Sequence, residues 1–577
     1  MKQRWGLPLN AWPDRLRPNA WDLLALPIVL ALVALVAWGS LAMSARYTIG
    51  APLPISLDPA RLPGYALRTV LRMAWALILS LVFSLAYGAL AAKSRRAEKI
   101  LIPVLDILQS VPILGFLSIT VTGFIALFPG RLLGVECAAI FAIFTSQAWN
   151  MAFSVYQSLR TVPGELIEAA RMFHLSPWQR FWRLEVPHAI PQLVWNMMMS
   201  VSGGWFFVVA AEAITVAGHT ILLPGIGSYI AVAIARKSLP AIGYAVLVML
   251  IVILLYDQLL FRPLIAWSRR FRADPAEEDE AIRPWFLFVL QRSRLIEMGR
   301  RALLAGNRRV DEAIAALPRR AAQAGRRPAS RAGELVFDLA VTGLALLGVA
   351  WIAAFVHQSV PLPEIGRVFL LGLFTAARVR VLIIIASLIW VPIGVAIGLR
   401  PHLAGRVQPI VQFLAAFPAN LFFPAAVVLI LRFRLDPQIW LSPLMILGTQ
   451  WYILFNVIAG AGAIPAELRL AAGNLGLRRI LWWRRLALPA IFPAYVTGAV
   501  TAAGGSWNAS IVAEIVEWGH TTLSASGIGA YITRATTAGD AARVWLGIGV
   551  LCLYVLAFNR LLWRPLYDLA AERLRLD

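Results

Sequence analysis

Val162-Pro163-Gly164-Glu165-Leu166-Ile167-Glu168-Ala169-Ala170-Arg171-Met172-Phe173-His174 is followed by Leu184-Glu185-Val186-Pro187 and Pro191. The chain then repeats itself as Ile464-Pro465-Ala466-Glu467-Leu468-Arg469-Leu470-Ala471-Ala472-Gly473-Asn474-Leu475-Gly476, followed by Leu486-Ala487-Leu488-Pro489 and Pro493. Pro163 and Pro465, Glu165 and Glu467, Ala169 and Ala471, Pro187 and Pro489, and Pro191 and Pro493 are all 302 residues apart. A register held over so many positions marks a tandem duplication. The duplicated segment is a polar stretch set between long apolar runs.

The repeat extends outward from this loop. Trp149 and Trp451, Trp205 and Trp507, Glu212 and Glu514, Gly225-Ile226-Gly227 and Gly527-Ile528-Gly529, and Arg262-Pro263 and Arg564-Pro565 keep the spacing of 302. Upstream it becomes 306, as in Arg72 with Arg378 and Pro112 with Pro418, so the halves differ there by a net four residues.

Composition sets the solvent. With 577 residues, 60% hydrophobic, 14% charged and a mean hydropathy of +0.72, the chain has more apolar surface than a soluble core of its size can bury. The formal charge of +23 gathers in short stretches between apolar runs, as the positive-inside rule expects, and argues against nucleic acid as a partner. Cys137 and Cys552 lie in separate apolar runs, which excludes a disulfide framework. Polar and basic residues precede a first apolar run long enough to span, so no cleavable signal peptide is expected.

Apolar runs long enough to cross a bilayer number six in each half. They centre near Leu32, Leu79, Ile119, Phe144, Val208 and Leu250, and near Leu346, Ile385, Ala425, Ile446, Ala502 and Leu551. An even number per half gives two halves of the same orientation, the parallel type of repeat. Alternation from a cytoplasmic N-terminus puts Lys93-Ser94-Arg95-Arg96, both repeated loops, Arg262 to Arg272, Arg400 to Arg406 and Arg564 inside, with a cytoplasmic C-terminus; Arg432 and Arg434 fall outside. The expected fold class is an all-α membrane protein of two parallel-repeat halves, residues 1–272 and 335–577. The intervening 273–334 carries the acidic run Ala276-Glu277-Glu278-Asp279-Glu280 and Arg pairs such as Arg300-Arg301 and Arg308-Arg309. Its apolar piece Trp285-Phe286-Leu287-Phe288-Val289-Leu290 is too short to span, and reads as an interfacial amphipathic helix or as a solvated connector.

In each repeated loop a proline opens a helix, a glutamate (Glu165, Glu467) sits in its first turn where the helix dipole favours it, and an Ala pair leaves one face small. Such a short helix suits a groove on a soluble partner, and a force on it would move the two spans that flank it.

The pattern Glu-Ala-Ala, three residues, Gly, then Leu-Pro or Val-Pro resembles the EAA loop of binding-protein-dependent ABC importer permeases. The flanks Val209-Ala210-Ala211-Glu212 and Val512-Ala513-Glu514, followed by Gly-His-Thr and Gly-Ile-Gly, resemble the branch that serves nitrate, sulfonate, taurine and bicarbonate. The resemblance covers nearly all of both halves and implies a type I importer permease fold with two permeases fused. It implies that the loop is a coupling helix docked on an ATP-binding subunit, two of them here, with a periplasmic substrate-binding protein as a further partner. ATP and Mg then belong to those subunits, this chain carries no cofactor, and the location is a bacterial inner membrane. The coupling residues carried over are Glu165, Glu168, Ala169, Ala170 and His174, and Glu467, Ala471, Ala472 and Gly476. His174 stands where the family has Gly, and Leu470 where it has Glu, so the two loops are expected to make unequal contacts.

What is missing agrees with that division of labour. None of Lys2, Lys93, Lys99 and Lys237 sits in a Gly-x-x-x-x-Gly-Lys loop, so ATP would be hydrolysed by another chain, and this chain is not itself an enzyme. The histidines have no metal-ligand spacing, and no Gly-x-Ser-x-Gly elbow occurs.

Pathway candidates are polar groups that a bilayer makes expensive. Arg72 and Arg378, with Arg380 beside the latter, open the second spans; a guanidinium fork fits an oxyanion, while snorkelling to the interface is the competing reading. Glu212 and Glu514 suit a structural hydrogen bond better than contact with an anion. Trp149 and Trp451, with Gln147, Asn150 and Gln450 beside them, and Trp205, Trp507 and Asn508 on the fifth spans could line a cavity between the halves, or the aromatics could be packing anchors. His219 and His520 lie in matching Gly-His-Thr turns expected outside, as turn caps or as contacts for a docked binding protein. The Gly-Ile-Gly turns are expected to form re-entrant outer segments able to gate the external mouth. The competing function is a twelve-span carrier driven by an ion gradient, which has no use for a repeated coupling loop. A membrane enzyme or scramblase would need a catalytic cluster or a hydrophilic groove that the sequence lacks.

Overall fold

The computed structural model describes residues 19–46, 54–110, 113–216, 219–271, 285–293, 297–298 and 331–573. The protein has an all-α membrane fold built from two repeats, with two small β-hairpins added. Among the described residues nine helices are long and apolar enough to cross a membrane, or up to eleven if each bent pair counts as one span.

The first half uses Ala20–Met43, Leu62–Lys93, Leu133–Arg160, Pro177–Glu212 and Leu239–Phe271, and fills its third position with two shorter helices, Arg95–Ser110 and Ile113–Leu127. In the second half Leu335–Ser359, Leu362–Gly398, Arg479–Ala513 and Ala541–Ala570 are long. The runs expected as spans near Ala425 and Ile446 are instead broken pairs: Pro401–Ala416 with Ala419–Arg432 turns through 76°, and Pro437–Met445 with Gln450–Gly462 through 45°. The first break has a local cause. Phe417 precedes Pro418, whose ring pushes it out of the helical region to ψ 128°.

Prolines shape the other spans differently. Pro187, Pro263, Pro489 and Pro565 lie inside helical runs, and each follows a single π-helical turn: Phe181–Glu185, Asp257–Phe261, Trp483–Ala487 and Asn559–Trp563. A proline ring collides with the carbonyl four residues back and donates no N–H, so one widened turn lets the helix continue. The prolines that follow the repeated loops, Pro187 and Pro191 and Pro489 and Pro493, are therefore absorbed into long helices.

Contacts divide the described chain into two units. One comprises Met1–Ala42, Ser154–Met198 and Leu254–Phe337; the other comprises Met43–Phe153, Met199–Ile253 and Asp338–Asp577. In the second unit Leu362–Gly398, Gln450–Gly462 and Leu488–Ala513 pack together. Ala213–Val216 pairs antiparallel with His219–Leu222, and Ile515–Trp518 with Thr521–Ser524. Each hairpin packs against the short helix of the opposite half: the first on Ile528–Ala538, the second on Ile226–Ala235. His219 opens a strand, and His520 is an exposed residue of the second hairpin's turn.

Candidate functional site

Two structures recur in both halves: a buried anchor in the second unit, and a surface helix. The anchor is built around the Gly-Ile-Gly turn. The helix Ile226–Ala235 begins after Gly225, which has no side chain to cap the free N–H groups of its first turn. Thr69 and Glu212 supply the caps from other helices: Thr69 Oγ1 accepts the Ile226 N–H at 3.1 Å, and Glu212 Oε2 accepts the Gly227 N–H at 2.6 Å. Thr69 also donates to Glu212 Oε1 at 2.6 Å. A Cβ on Gly225 would fall on the Glu212 carboxylate, and one on Gly227 on the Val209 carbonyl oxygen. Both glycines are thus required by close approach.

The second half repeats the design. Thr375 accepts the Ile528 N–H at 3.0 Å and donates to Glu514 Oε1 at 2.7 Å, while Glu514 Oε2 accepts the Gly529 N–H at 2.8 Å. Gly527 and Gly529 leave room for the Glu514 carboxylate and the Ser510 carbonyl oxygen.

Arginine completes each anchor. Arg72 has no exposed side-chain surface; it donates to both Glu136 oxygens at 2.6 and 2.8 Å, to Glu212 at 2.6 Å and to the Pro224 carbonyl at 3.0 Å. The anion ligand expected of it, and the snorkelling alternative, both give way to this arrangement: the guanidinium sits ten residues into its helix with its charge met by two carboxylates. Arg378 lies sixteen residues into Leu362–Gly398, is 14% exposed, and donates to Glu514 at 3.1 Å, to the Ser526 carbonyl at 2.9 Å and to Gln438 Oε1 at 3.0 Å. It does not open its span either. Arg380 is exposed, with its guanidinium carbon 5.1 Å from the centre of the Phe558 ring.

Sequence reasoning passed over Thr69, Thr375, Glu136 and Gln438. The signal was present, since Thr-x-x-Arg recurs at the spacing of 306 and Gln438 lies 302 beyond Glu136.

The aromatic candidates are dispersed. Trp149 stands edge-on to Phe83 at 5.5 Å, and Trp451 lies 5.0 Å from Trp390, whose indole N–H donates to Gln450 at 2.9 Å. Trp205 and Trp507 are buried, the latter against Phe558. Gln147 is fully buried beside Met73, and Asn150 donates to Ser200 at 3.0 Å. Asn508 joins the two halves: its Oδ1 accepts the N–H of Ile113, at the start of Ile113–Leu127, at 3.0 Å. In the reverse direction Asn420 of the second half donates to the Phe206 carbonyl of the first at 3.4 Å.

The repeated loops form the helices Gly164–Met172 and Ala466–Asn474, each with a proline in the N-cap position. Nine residues make a marginal helix in isolation, so its ends and its packing must hold it. Both helices close in the same Schellman motif. Leu175 donates to Ala170 and His174 to Arg171, at 3.0 and 2.9 Å; Leu477 donates to Ala472 and Gly476 to Gly473, both at 3.0 Å. The left-handed residue of this motif is His174 in one loop and Gly476 in the other, with φ of 51° and 64°. The second alanine of each pair, Ala170 or Ala472, is buried. Ala169 is half-buried, and Ala471, Glu165, Glu168 and Glu467 are exposed. Large apolar side chains point outward: Met172 is 80% and Phe173 79% exposed, Leu470 69% and Leu475 76%.

A buried structural anchor and a short surface helix that exposes large apolar side chains beside its glutamates each occur twice on a membrane scaffold, and the class of the protein is a membrane transport permease. The chain belongs to the family of binding-protein-dependent transport system inner membrane components, which it matches twice, over residues 84–259 and 389–563. It is similar to the nitrate import permease protein of Leptolyngbya laminosa, 29% identical over 32% of this chain and 62% of the relative. It is 31% identical to the bicarbonate transport system permease protein of Synechococcus elongatus, over 23% of this chain and 46% of that one. It is 29% identical to the glycine betaine/proline betaine transport system permease protein of Escherichia coli, over 35% and 54%. The chain thus spans about half of the length of the curated relatives it matches.

Proposed function

We propose that this chain is the complete membrane pathway of an ATP-driven ABC importer, two fused permeases working by alternating access. Gly164–Met172 and Ala466–Asn474 are its coupling helices, each docked on one of two ATP-binding subunits that hold the ATP and Mg. The observation that carries this reading is the pair of surface helices, alike in motif, each burying its second alanine and displaying large apolar side chains. Large apolar side chains exposed beside glutamates on a short polar loop suit a protein partner. A carrier driven by an ion gradient gives no account of it.

The substrate class is a small oxyanion or an organic sulfonate or carboxylate, in keeping with the nitrate and bicarbonate named for two relatives. A betaine, named for a third, shares the carboxylate. Arg380, Trp149, Trp451 and Asn508 are the pathway residues of this proposal; Arg72, Arg378, Trp205 and Trp507 support them from within the packing. The outer mouth is gated where the second hairpin meets the first half, with the Gly519 N–H bonded to the Ile234 carbonyl at 3.1 Å. A periplasmic substrate-binding protein delivers the solute, and the chain sits in a bacterial inner membrane with both termini cytoplasmic.

Ala169→Pro and Ala471→Pro test this in proteoliposomes with the ATP-binding subunits. Each should uncouple uptake from ATP hydrolysis, by tenfold or more, while the permease still purifies as a folded species. Unchanged coupling in both variants would falsify the assignment.

A further inference from the structure

The stretch between the halves holds a contact that lies outside both the anchors and the coupling helices. Within the first unit the helix Trp285–Arg292 meets the start of the first span end to end. Asn19 and Asp22 cap that span reciprocally: the Asn19 side chain accepts the Asp22 N–H at 3.0 Å, and the Asp22 carboxylate accepts the Asn19 N–H at 2.7 Å. The same two residues hold the linker. Asn19 Nδ2 donates to the Arg292 carbonyl at 2.7 Å, one of the unmet acceptors at that helix's C-terminus, and Ser293 Oγ donates to Asp22 Oδ1 at 2.5 Å. Asp22, Val289 and Ser293 are buried. Trp21 stands edge-on to Phe288 at 5.4 Å, and the Arg292 guanidinium lies over both rings, 5.5 Å from Trp21 and 4.2 Å from Phe288.

This junction fixes a depth. Asn19–Asp22 is where Ala20–Met43 enters the bilayer, so whatever is fastened there lies at headgroup level. Beyond the junction the linker helix exposes Trp285 and the outer side of Arg292, and the preceding helix ends in exposed Arg269 and Arg270. An exposed indole and exposed arginines on one segment suit a headgroup layer, and each arginine near an anionic surface contributes attraction. We propose that the Asn19/Asp22–Arg292/Ser293 junction is an anchor that seats the linker helix on anionic phospholipid headgroups.

The test uses the full chain with Cys137→Ala, Cys552→Ala and Trp285→Cys, carrying a nitroxide at position 285. It is placed in nanodiscs of phosphatidylcholine alone or of phosphatidylcholine with phosphatidylglycerol. In the anionic discs the label should collide with oxygen in preference to a water-soluble nickel chelate, and the ratio should fall several-fold in the neutral discs. Asp22→Ala with Ser293→Ala should lower it similarly in the anionic discs; the lipid comparison stands without that variant, should it fold poorly. A ratio that ignores lipid charge overturns the anchor, as does a label shielded from both reagents only when ATP-binding subunits are bound.

Discussion

The two anchors solve one problem with different charge. In the first half Arg72 meets two carboxylates, and Arg68, one turn earlier and half-buried, also feels the charge of Glu136. In the second half the position of Glu136 is Gln438 and that of Arg68 is Phe374, leaving Arg378 with Glu514 and an amide. An acid and a base have been exchanged together, so each anchor keeps its charge balanced. That is what a low-dielectric site demands, because an unpaired buried charge is far more costly than an absent pair. The anchors therefore have one architecture and two electrostatic strengths, the stronger sealed from solvent and the weaker partly open.

The largest expected difference lies at the arginines themselves. Arg72→Leu strands two buried carboxylates and should cost about 3–5 kcal/mol, enough to abolish folded protein on size-exclusion chromatography. Arg378→Leu strands one carboxylate that keeps bonds to Thr375, Gly529 and Ala530, and should cost roughly 1–3 kcal/mol, leaving a folded species with a lowered melting temperature. Equal losses in the two variants would show that the contrast in burial carries no energetic weight.

A subtler pair sharpens the comparison. Glu136→Gln alone removes the acid and leaves Arg68 and Arg72 against Glu212, whereas Glu136→Gln with Arg68→Phe rebuilds the composition of the second half. The double variant should recover stability relative to the single one, with a coupling of about 0.5–3 kcal/mol in a thermal-melt double-mutant cycle. Strict additivity would mean that Arg68 does not balance Glu136.

The contrast also explains what could be read in the sequence. The tandem repeat, the all-α spans and the surface helices follow from spacing and apolar length, properties that survive without knowing which groups touch. The roles of Arg72 and Arg378 did not follow, because an arginine in an apolar run looks the same whether it faces a pore, the headgroups or a hidden carboxylate. Its partners Glu136 and Glu212 lie 64 and 140 residues away. Glu212 and Glu514, at the ends of Pro177–Glu212 and Arg479–Ala513, were read as hydrogen-bonding carboxylates because a carboxylate is a poor ligand for an anion, and there they accept the N–H groups of Gly227 and Gly529. The hairpins escaped notice because four-residue strands carry too short an alternation to register, and the broken spans because a bent helix is as apolar as a straight one.

The coupling helices offer the smallest and cleanest comparison. At the left-handed position of the Schellman motif, glycine carries no Cβ to clash, while any other residue meets the following carbonyl oxygen at a cost of about 1–2 kcal/mol. Gly476 avoids that strain and His174 accepts it, in helices of equal length with matching hydrogen bonds. His174→Gly should therefore steady the first helix by up to about 1 kcal/mol, since glycine gives back part of the gain as extra freedom when unfolded. Gly476→His should loosen the second by a similar amount. Hydrogen exchange of the amides of Leu175 and Leu477, each closing its motif, measures both: protection should rise several-fold in the first variant and fall in the second. If His174→Gly also preserves coupled transport, the imidazole is tolerated strain; if uptake falls while protection rises, the strained histidine is held there for the partner it meets.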